Sequence, residues 1–416
     1  MKILWISNTL FPAVCQELNI PSPVVGGWMF SGAEALLKAS ADVELGVATL
    51  YSGKSLKTLP IDGITYYLLP KPGSNYRYSH SLEPFWKRIR DEFKPDVVHI
   101  HGTEYPHGLA YVNACGNSGV VASIQGLVSI YAQYYLGGIP EKELRQNITI
   151  RDIIRLDSLF KQKQRFQQRG AYEIELIRNI SHIIGRTSWD QAHAWAINPR
   201  ADYHFSNETL RNAFYNHKWK YEECEKHSIF LSQAHYPIKG LHQLIKALPL
   251  VLRDFPKTKV YVAGNDFFST NKFWRMNGYG KYIRSLMQAN GISDQLVFTG
   301  ILSEKEMCDR YLRSNVFVCP SSIENSPNSI GEAQLLGVPC IASYVGGTAD
   351  MVSHNQTGLL YRFEETTMLA ELVCRVFKDP DLSRKLSDSE RSTAGRRHDP
   401  DVNTQTLIKI YQSACN

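Results

Sequence analysis

No stretch of this 416-residue chain approaches the ~18 consecutive apolar residues that a membrane-spanning helix requires. The eight cysteines, scattered from Cys15 to Cys415, form no C-x-x-C pair and lie in no His-rich spacing. That excludes a recognisable zinc site or disulfide frame and leaves reduced thiols acting as small core residues. No aromatic-basic or helix-turn-helix pattern appears, so nucleic acid is not an expected partner. Internal repeats and low-complexity tracts are also absent. What remains is 43% hydrophobic and 21% charged, the composition of a folded globular protein. The length exceeds one ordinary core and predicts two domains.

The opening Met1-Lys2-Ile3-Leu4-Trp5-Ile6 has a short apolar run that ends at Ser7-Asn8 without a small-residue cleavage site. It reads as a first buried strand, which implies a cytoplasmic protein. Triplets such as Asn147-Ile148-Thr149 then carry no glycan. The net charge of +6 is mild, with basic residues gathered at Lys87–Arg90 and from Arg151 to Arg169. Solvated helix faces are the ordinary reading. The functional alternative is peripheral contact of these basic helices with the anionic inner face of a membrane.

Two successive α/β alternations run along the chain. The first has apolar, β-branched runs at Lys2–Ser7, Val43–Leu50, Ile64–Leu69, Asp96–His101, Val120–Ile124 and His182–Gly185, separated by helical patterns that include Gly32–Ala39 and Leu82–Phe93. The second has them at Ser228–Ser232, Lys259–Ala263, Leu296–Thr299, Val316–Cys319, Pro339–Ser343 and Gly358–Tyr361. Short strands alternating with helices predict parallel sheets with right-handed crossovers, and ligands at the strands' carboxyl ends. A boundary is expected in the polar segment Asn216–His227. The charged stretch from Tyr131 to Ile180 reads as a helical insertion, and Asp399–Ala414 as a terminal helix.

The densest chemistry lies between Pro320 and Gly347, P-S-S-I-E-N-S-P-N-S-I-G-E-A-Q-L-L-G-V-P-C-I-A-S-Y-V-G-G. Ser326 is expected to cap a helix whose first residue is Pro327, because the missing proline N–H would be unpaired there anyway. The exposed N–H groups and positive end of that helix would hold phosphate. Glu332 would lie ~9 Å along the axis, placed to chelate a ribose diol. Glu324, just outside the helix, would face whatever hangs from the far phosphate. Lys239-Gly240 follows a strand and offers a point charge for diphosphate. Gly26-Gly27 precedes a helix and could approach phosphate or sugar, without the dinucleotide-fingerprint spacing. Gly264-Asn265-Asp266 could wall the site, although Asn and Asp before a loop are ordinary turn residues. Of His99 and His101, one is expected to point inward as a packing residue and the other outward. The triplets Asp379–Asp381 and Asp399–Asp401 sit between helical segments and read as caps, not as a metal site.

Together these residues resemble family 4 glycosyltransferases, over nearly the whole chain and most closely from Ser228 to Tyr361. The resemblance rests on Lys239-Gly240, A-G-N-D at 263–266, F-T-G at 298–300, Glu324-x7-Glu332, G-V-P at 337–339, G-G-T-A-D at 346–350 and T-G-L-L at 357–360. It implies an α/β GT-B fold of two Rossmann-like, doubly wound parallel-sheet domains facing across a cleft. Residues 1–217 would form the acceptor domain and 218–395 the nucleotide-sugar domain, with 396–416 a helix crossing back to the first. It further implies that Glu332 holds the ribose and Glu324 a donor-sugar hydroxyl. Main-chain N–H groups near Asn325-Ser326 and Asn328-Ser329 would bind sugar and phosphate oxygens. Lys239 would neutralise the departing diphosphate, and Gly26-Gly27 would contribute from the N-terminal domain. No metal or other cofactor is expected, since the nucleotide-sugar is a substrate.

Two positions depart from the family pattern. An Arg that clamps diphosphate is common just before the Lys-Gly pair; here Gln233 stands nearest. Arg186 or His235 is the expected substitute. A His that touches the donor sugar usually ends the strand near 121–124; here Gln125 does, and an amide cannot become a cation at pH 6. The sequence implies a retaining transferase moving a sugar to a hydroxyl of a glycan or lipid-linked acceptor, in surface-polysaccharide assembly. A sugar-nucleotide epimerase or hydrolase on the same fold, and a non-catalytic sugar-nucleotide-binding protein, are the rival readings.

Overall fold

A computed structural model describes residues 1–23, 26–264 and 276–415; Asn265 and Asp266 lie outside them. The chain divides into two units, one of residues 1–132, 165–210 and 398–416, the other of residues 133–164 and 211–397.

The first unit is built on an eight-stranded sheet. Its strands are β1 (Lys2–Ser7), β2 (Glu44–Tyr51), β3 (Lys57–Ile61), β4 (Ile64–Pro70), β5 (Val97–His101), β6 (Val120–Ser123), β7 (His182–Gly185) and β8 (Asp202–Phe205), in the order β3-β4-β2-β1-β5-β6-β7-β8. All neighbours are parallel except β3 and β4. Side chains alternate between the faces. Leu4 and Ile6 enter one core with Trp86, while Ile3 and Trp5 enter another with Tyr411. Apolar side chains on both faces explain why these strands read as near-continuous hydrophobic runs.

The edge pair β3–β4 is a hairpin that the alternation did not announce. Asp62 and Gly63 both have positive φ, 49° and 78°, as the two-residue turn matching strand twist requires. Pro60 within β3 is tolerated because the strand lies at the sheet edge.

The second unit holds β9 (Glu225–Leu231), β10 (Lys259–Ala263), β11 (Leu296–Gly300), β12 (Ser314–Cys319), β13 (Cys340–Ser343) and β14 (Leu359–Tyr361), in the order β11-β10-β9-β12-β13-β14, all parallel. Strand order turns back between β9 and β12, so their carboxyl ends form a switch point.

The division of the chain differs from the sequence expectation in two stretches. The second unit resumes at Arg211, ahead of the polar segment Asn216–His227 in which the boundary is expected, and that segment is fastened to it. Trp219 donates its main-chain N–H to Leu336 O (2.9 Å) and its indole N–H to Ser314 O (2.8 Å). Residues 133–164, expected within an arm of the first domain, belong to the second unit. There His242 Nε2 lies 2.8 Å from Gly137 O.

Asp399 caps the helix Pro400–Ala414 by accepting from Asp401 and Val402 N–H, and Asp379 Oδ1 accepts from Leu382 N–H. Among the described residues no helix is long and apolar enough to cross a membrane.

Candidate functional site

Three successive loops of the second unit are stitched together at the carboxyl ends of β9, β12 and β13. Ser322 N–H donates to Ile238 O at 2.7 Å, joining the loop after β12 to the loop after β9. Gly240, with φ of 70°, lies so close to Pro320 that a Cβ would fall 1.6 Å from the proline carbonyl oxygen. Gly347 N–H donates to Glu324 O at 3.0 Å, which ties in the loop after β13. A Cβ on Gly346 would fall 1.9 Å from that same oxygen. Gly240 and Gly346 are therefore packing requirements of this junction.

The junction brings Lys239 and Glu324 into contact. Lys239 Nζ lies 2.6 Å from Glu324 Oε1, and Ser321 Oγ donates to the same oxygen at 2.7 Å. Burial acts to lower the Lys239 pKa, but the Glu324 carboxylate outweighs it and holds the ammonium above its ordinary range.

Beyond Glu324 the helix spans Asn328–Leu336, beginning later than expected. Pro327 adopts extended backbone (φ −69°, ψ 119°) and occupies the cap position itself. Ser326 caps nothing: its hydroxyl lies 3.6 Å from Met351 Sδ and 3.5 Å from Arg397 Nη2. The N–H groups of Asn328 and Ser329 begin the helix, where no preceding helical carbonyl can reach them. Gly337 closes it at φ 81°, with Val338 N–H returning to Ala333 O, before Pro339 ends any continuation.

Glu332 lies ~7.5 Å beyond the cap at helical rise and is buried. Its carboxylate is gripped by Arg211, with Nε and Nη2 each donating at 2.7 Å to separate oxygens. Burial pushes the Glu332 carboxyl up, and Arg211 acts against that push. On Arg211 burial acts downward but Glu332 prevails, so its guanidinium is held firmly charged. Two parallel N–H···O bonds give the pair the fork geometry of a charge-assisted contact. Sequence reasoning missed Arg211, which precedes the helix by 117 positions at the Asn328 end and belongs to no recognisable local motif.

His235, an expected substitute for the missing arginine, is not the fixed cation that an arginine would be. Burial, aided by the Lys239 charge, lowers its pKa to about 4, so the ring is neutral at pH 7. Its Nδ1 is buried without a hydrogen-bond partner.

The remaining expected residues lie in the first unit. Gly26 has φ of 90° and stands before the helix Gly27–Ala39, so Gly27 is the first helical residue. Gln125 follows β6, and its Oε1 accepts from Arg186 Nη2 at 2.9 Å. The same guanidinium donates to Ile124 O at 2.9 Å and meets Glu208 at 2.7 Å. Arg186 is thus buried in a network of its own unit with a carboxylate already on it.

His99 and His101 do not diverge as expected. Residues two apart on a strand face the same side, and the rings lie with centroids 3.7 Å apart. Both are buried, with His99 set between Tyr411 OH (2.6 Å) and Ser123 Oγ (2.5 Å).

Comparison with known proteins agrees with this architecture. Residues 214–393 match the family described as Glycosyl transferases group 1. A Bacillus subtilis protein named as a glycosyltransferase, YtcC, is 23% identical over 411 residues, covering 96% of this chain and 91% of the relative. Sucrose-phosphate synthase from Thermosynechococcus elongatus superposes with a TM-score of 0.73 at 17% identity, covering 99% of this chain and 98% of that one. HepE from Anabaena, solved with UDP and glucose, superposes at 0.65 with 15% identity, covering 99% and 100%. The chain is a glycosyltransferase of the GT-B type, and its residues 214–393 are similar to the group 1 glycosyl transferases.

Proposed function

We propose that the protein moves a sugar from a nucleotide-sugar donor to a hydroxyl of a glycan or lipid-linked acceptor with retention of configuration, in surface-polysaccharide assembly. The observation that carries this reading is the junction itself. A cation and a carboxylate, Lys239 and Glu324, meet at 2.6 Å beside the start of a helix that holds a second carboxylate inside. HepE, solved with UDP and glucose, adds support for a nucleotide donor.

In this reading Glu332 holds the ribose hydroxyls. Arg211 is a positioning residue that fixes both carboxylate oxygens before the nucleotide arrives. Main-chain N–H groups around Asn325, Ser326, Asn328 and Ser329 take sugar and diphosphate oxygens. Glu324 receives Lys239 and Ser321 through Oε1, and its other oxygen is directed at a donor-sugar hydroxyl. Lys239 transfers part of its attraction to the diphosphate as the anomeric C–O bond breaks. Stabilising that departing charge is the main catalytic effect. The acceptor oxygen bonds to the anomeric carbon on the face the diphosphate leaves, and its proton passes to a diphosphate oxygen.

The missing arginine near Gln233 favours one rival, a donor-binding protein without transfer. Incubation with UDP-, GDP- and ADP-sugars, with and without a lipid-linked glycan, separates the readings. Acceptor-dependent nucleotide release, with product of the donor's anomeric configuration by NMR, is expected. Release that ignores the acceptor indicates a hydrolase or epimerase, and binding without release indicates the silent binder. An inverted product sinks same-face transfer.

A further inference from the structure

The short helix Ile150–Ile154 is amphipathic in reverse. Its polar side is buried: Asp152 accepts from Gly278 N–H at 2.8 Å and from Thr149 N–H at 3.1 Å, while Thr149 Oγ1 donates to Met276 O at 3.1 Å. A Cβ on Gly278 would lie 2.9 Å from Asp152 Oδ2, so the docking is tight. The spacing i, i+3, i+4 then turns Ile150, Ile153 and Ile154 together to the outside, where they are 72%, 64% and 76% exposed.

The cap of this helix extends the apolar face. Asp157 N–H returns to Asp152 O and Leu156 N–H to Ile153 O, closing a Schellman turn with Leu156 at the left-handed position. Conformation there favours glycine, and exposure favours a polar residue. The chain keeps a leucine, 65% exposed. Four large aliphatic groups are thus held outward on a fixed frame.

Charge identifies what covers them. Residues 133–164 contain six basic and four acidic side chains. Arg151 is paired with Asp152 and Asp157, and the exposed Glu141 faces Arg145 at 3.2 Å. Among the described residues this leaves Lys142, Arg155 and Lys161 exposed without an acidic partner. A four-residue knob is also far smaller than the ~800 Å² per partner of a stable protein interface. It suits a surface that supplies both an apolar layer and diffuse negative charge.

We propose that Ile150, Ile153, Ile154 and Leu156 insert into an anionic lipid leaflet, with Arg155 and the flanking lysines lying at its headgroups. This surface lies at the start of the basic Arg151–Arg169 stretch considered from sequence and adds to it an apolar knob that charge alone does not announce; it does not depend on the transferase reading.

Flotation of the full-length protein with phosphatidylglycerol/phosphatidylcholine vesicles tests it. The wild type is expected to float with anionic vesicles and roughly tenfold less with pure phosphatidylcholine or at high salt. The exposed double variant Ile153→Asp/Ile154→Asp is expected to lose vesicle binding by at least about tenfold, while donor-sugar thermal stabilisation stays unchanged. The proposal is overturned if the wild type ignores anionic vesicles, a result that needs no variant. It is equally overturned if the double variant binds as well as wild type. A wild-type dimer in gel filtration that the double variant converts to monomer would reassign the knob to self-association and overturn it too.

Discussion

Glu324 and Glu332 carry the same functional group eight positions apart, yet their neighbours give them different work. Glu324 shares one oxygen with a lysine and a serine hydroxyl, an arrangement that a competing anion or sugar hydroxyl can rearrange. Glu332 has both oxygens fixed by one guanidinium. Removing either partner of so buried a pair leaves an uncompensated charge, which costs ~3–5 kcal/mol. Glu332→Gln keeps the side chain's shape but still leaves the Arg211 charge unpaired, so a test of Glu332 needs a stability measurement beside it. The burial that shapes these carboxylates also keeps several histidines neutral. His242, between Gly137 O and Tyr279 OH, is pushed down to about 3 by burial, with the Gly137 contact acting weakly upward. In the unfolded chain its pKa returns to ~6.5, so on acidification the unfolded state takes up the proton first. Stability from this group is lost as pH falls from ~6.5 toward 3, about 2 kcal/mol between pH 7 and pH 5. Urea unfolding at pH 7, 6 and 5 should show that portion of the pH slope absent in His242→Gln. Parallel slopes for wild type and variant would contradict the assignment.

At the scale of elements, loop glycines fix the site as firmly as its charged residues do. Gly346 sits at φ 51° with its missing Cβ directed at the Glu324 carbonyl. Gly346→Ala should cost about 1–3 kcal/mol, since the backbone is strained and the Glu324 loop must move. A displacement of the order of 1 Å at a reacting group can cost up to ~100-fold in rate, so turnover should fall at least about tenfold. Nucleotide affinity, to which the proposed Glu332 contact with the ribose also contributes, should fall less than turnover does. Steady-state kinetics beside nucleotide titration would check this; an unchanged turnover would show that Glu324's position is immaterial. The strands and helices of both sheets were legible because apolar runs buried on both faces leave a strong signal. His182–Gly185 and Lys259–Ala263 coincide with β7 and β10. The edge strands Lys57–Ile61 and Asp202–Phe205 escaped because half-exposed sequences such as K-T-L-P-I and D-Y-H-F carry little alternation. The helix start slipped from Ser326 because cap preference and proline position are local rules. Here the loop is instead held by contacts to Ile238 and Gly347, far away in sequence.

Across the whole molecule, the two sheets and their strand alternation could be read from the sequence, whereas the path of the chain between units could not. Residues 133–164 show helical, charged character in either unit. Only non-local contacts such as Asp152 to Gly278 and His242 to Gly137 assign them to the second. The same limit hid Arg211. Its partner Glu332 lies 121 positions away, and single-sequence pattern reasoning sees no pair at that distance. Of what the sequence did reveal, Lys-Gly, Glu324 and Gly-Gly converge at the carboxyl ends of β9, β12 and β13, whereas Gly-Val-Pro closes the Glu332 helix and enters β13 at its other end. The account stands on the separate roles of the two carboxylates. Calorimetric titration with the nucleoside diphosphate of the active donor, on wild type, Glu332→Gln and Glu324→Gln, tests this most directly. Glu332→Gln should weaken nucleotide binding by roughly tenfold or more. Glu324→Gln should bind the nucleotide like wild type and lose turnover by roughly 100-fold. Equal and small effects from both, or wild-type affinity in Glu332→Gln, would contradict it.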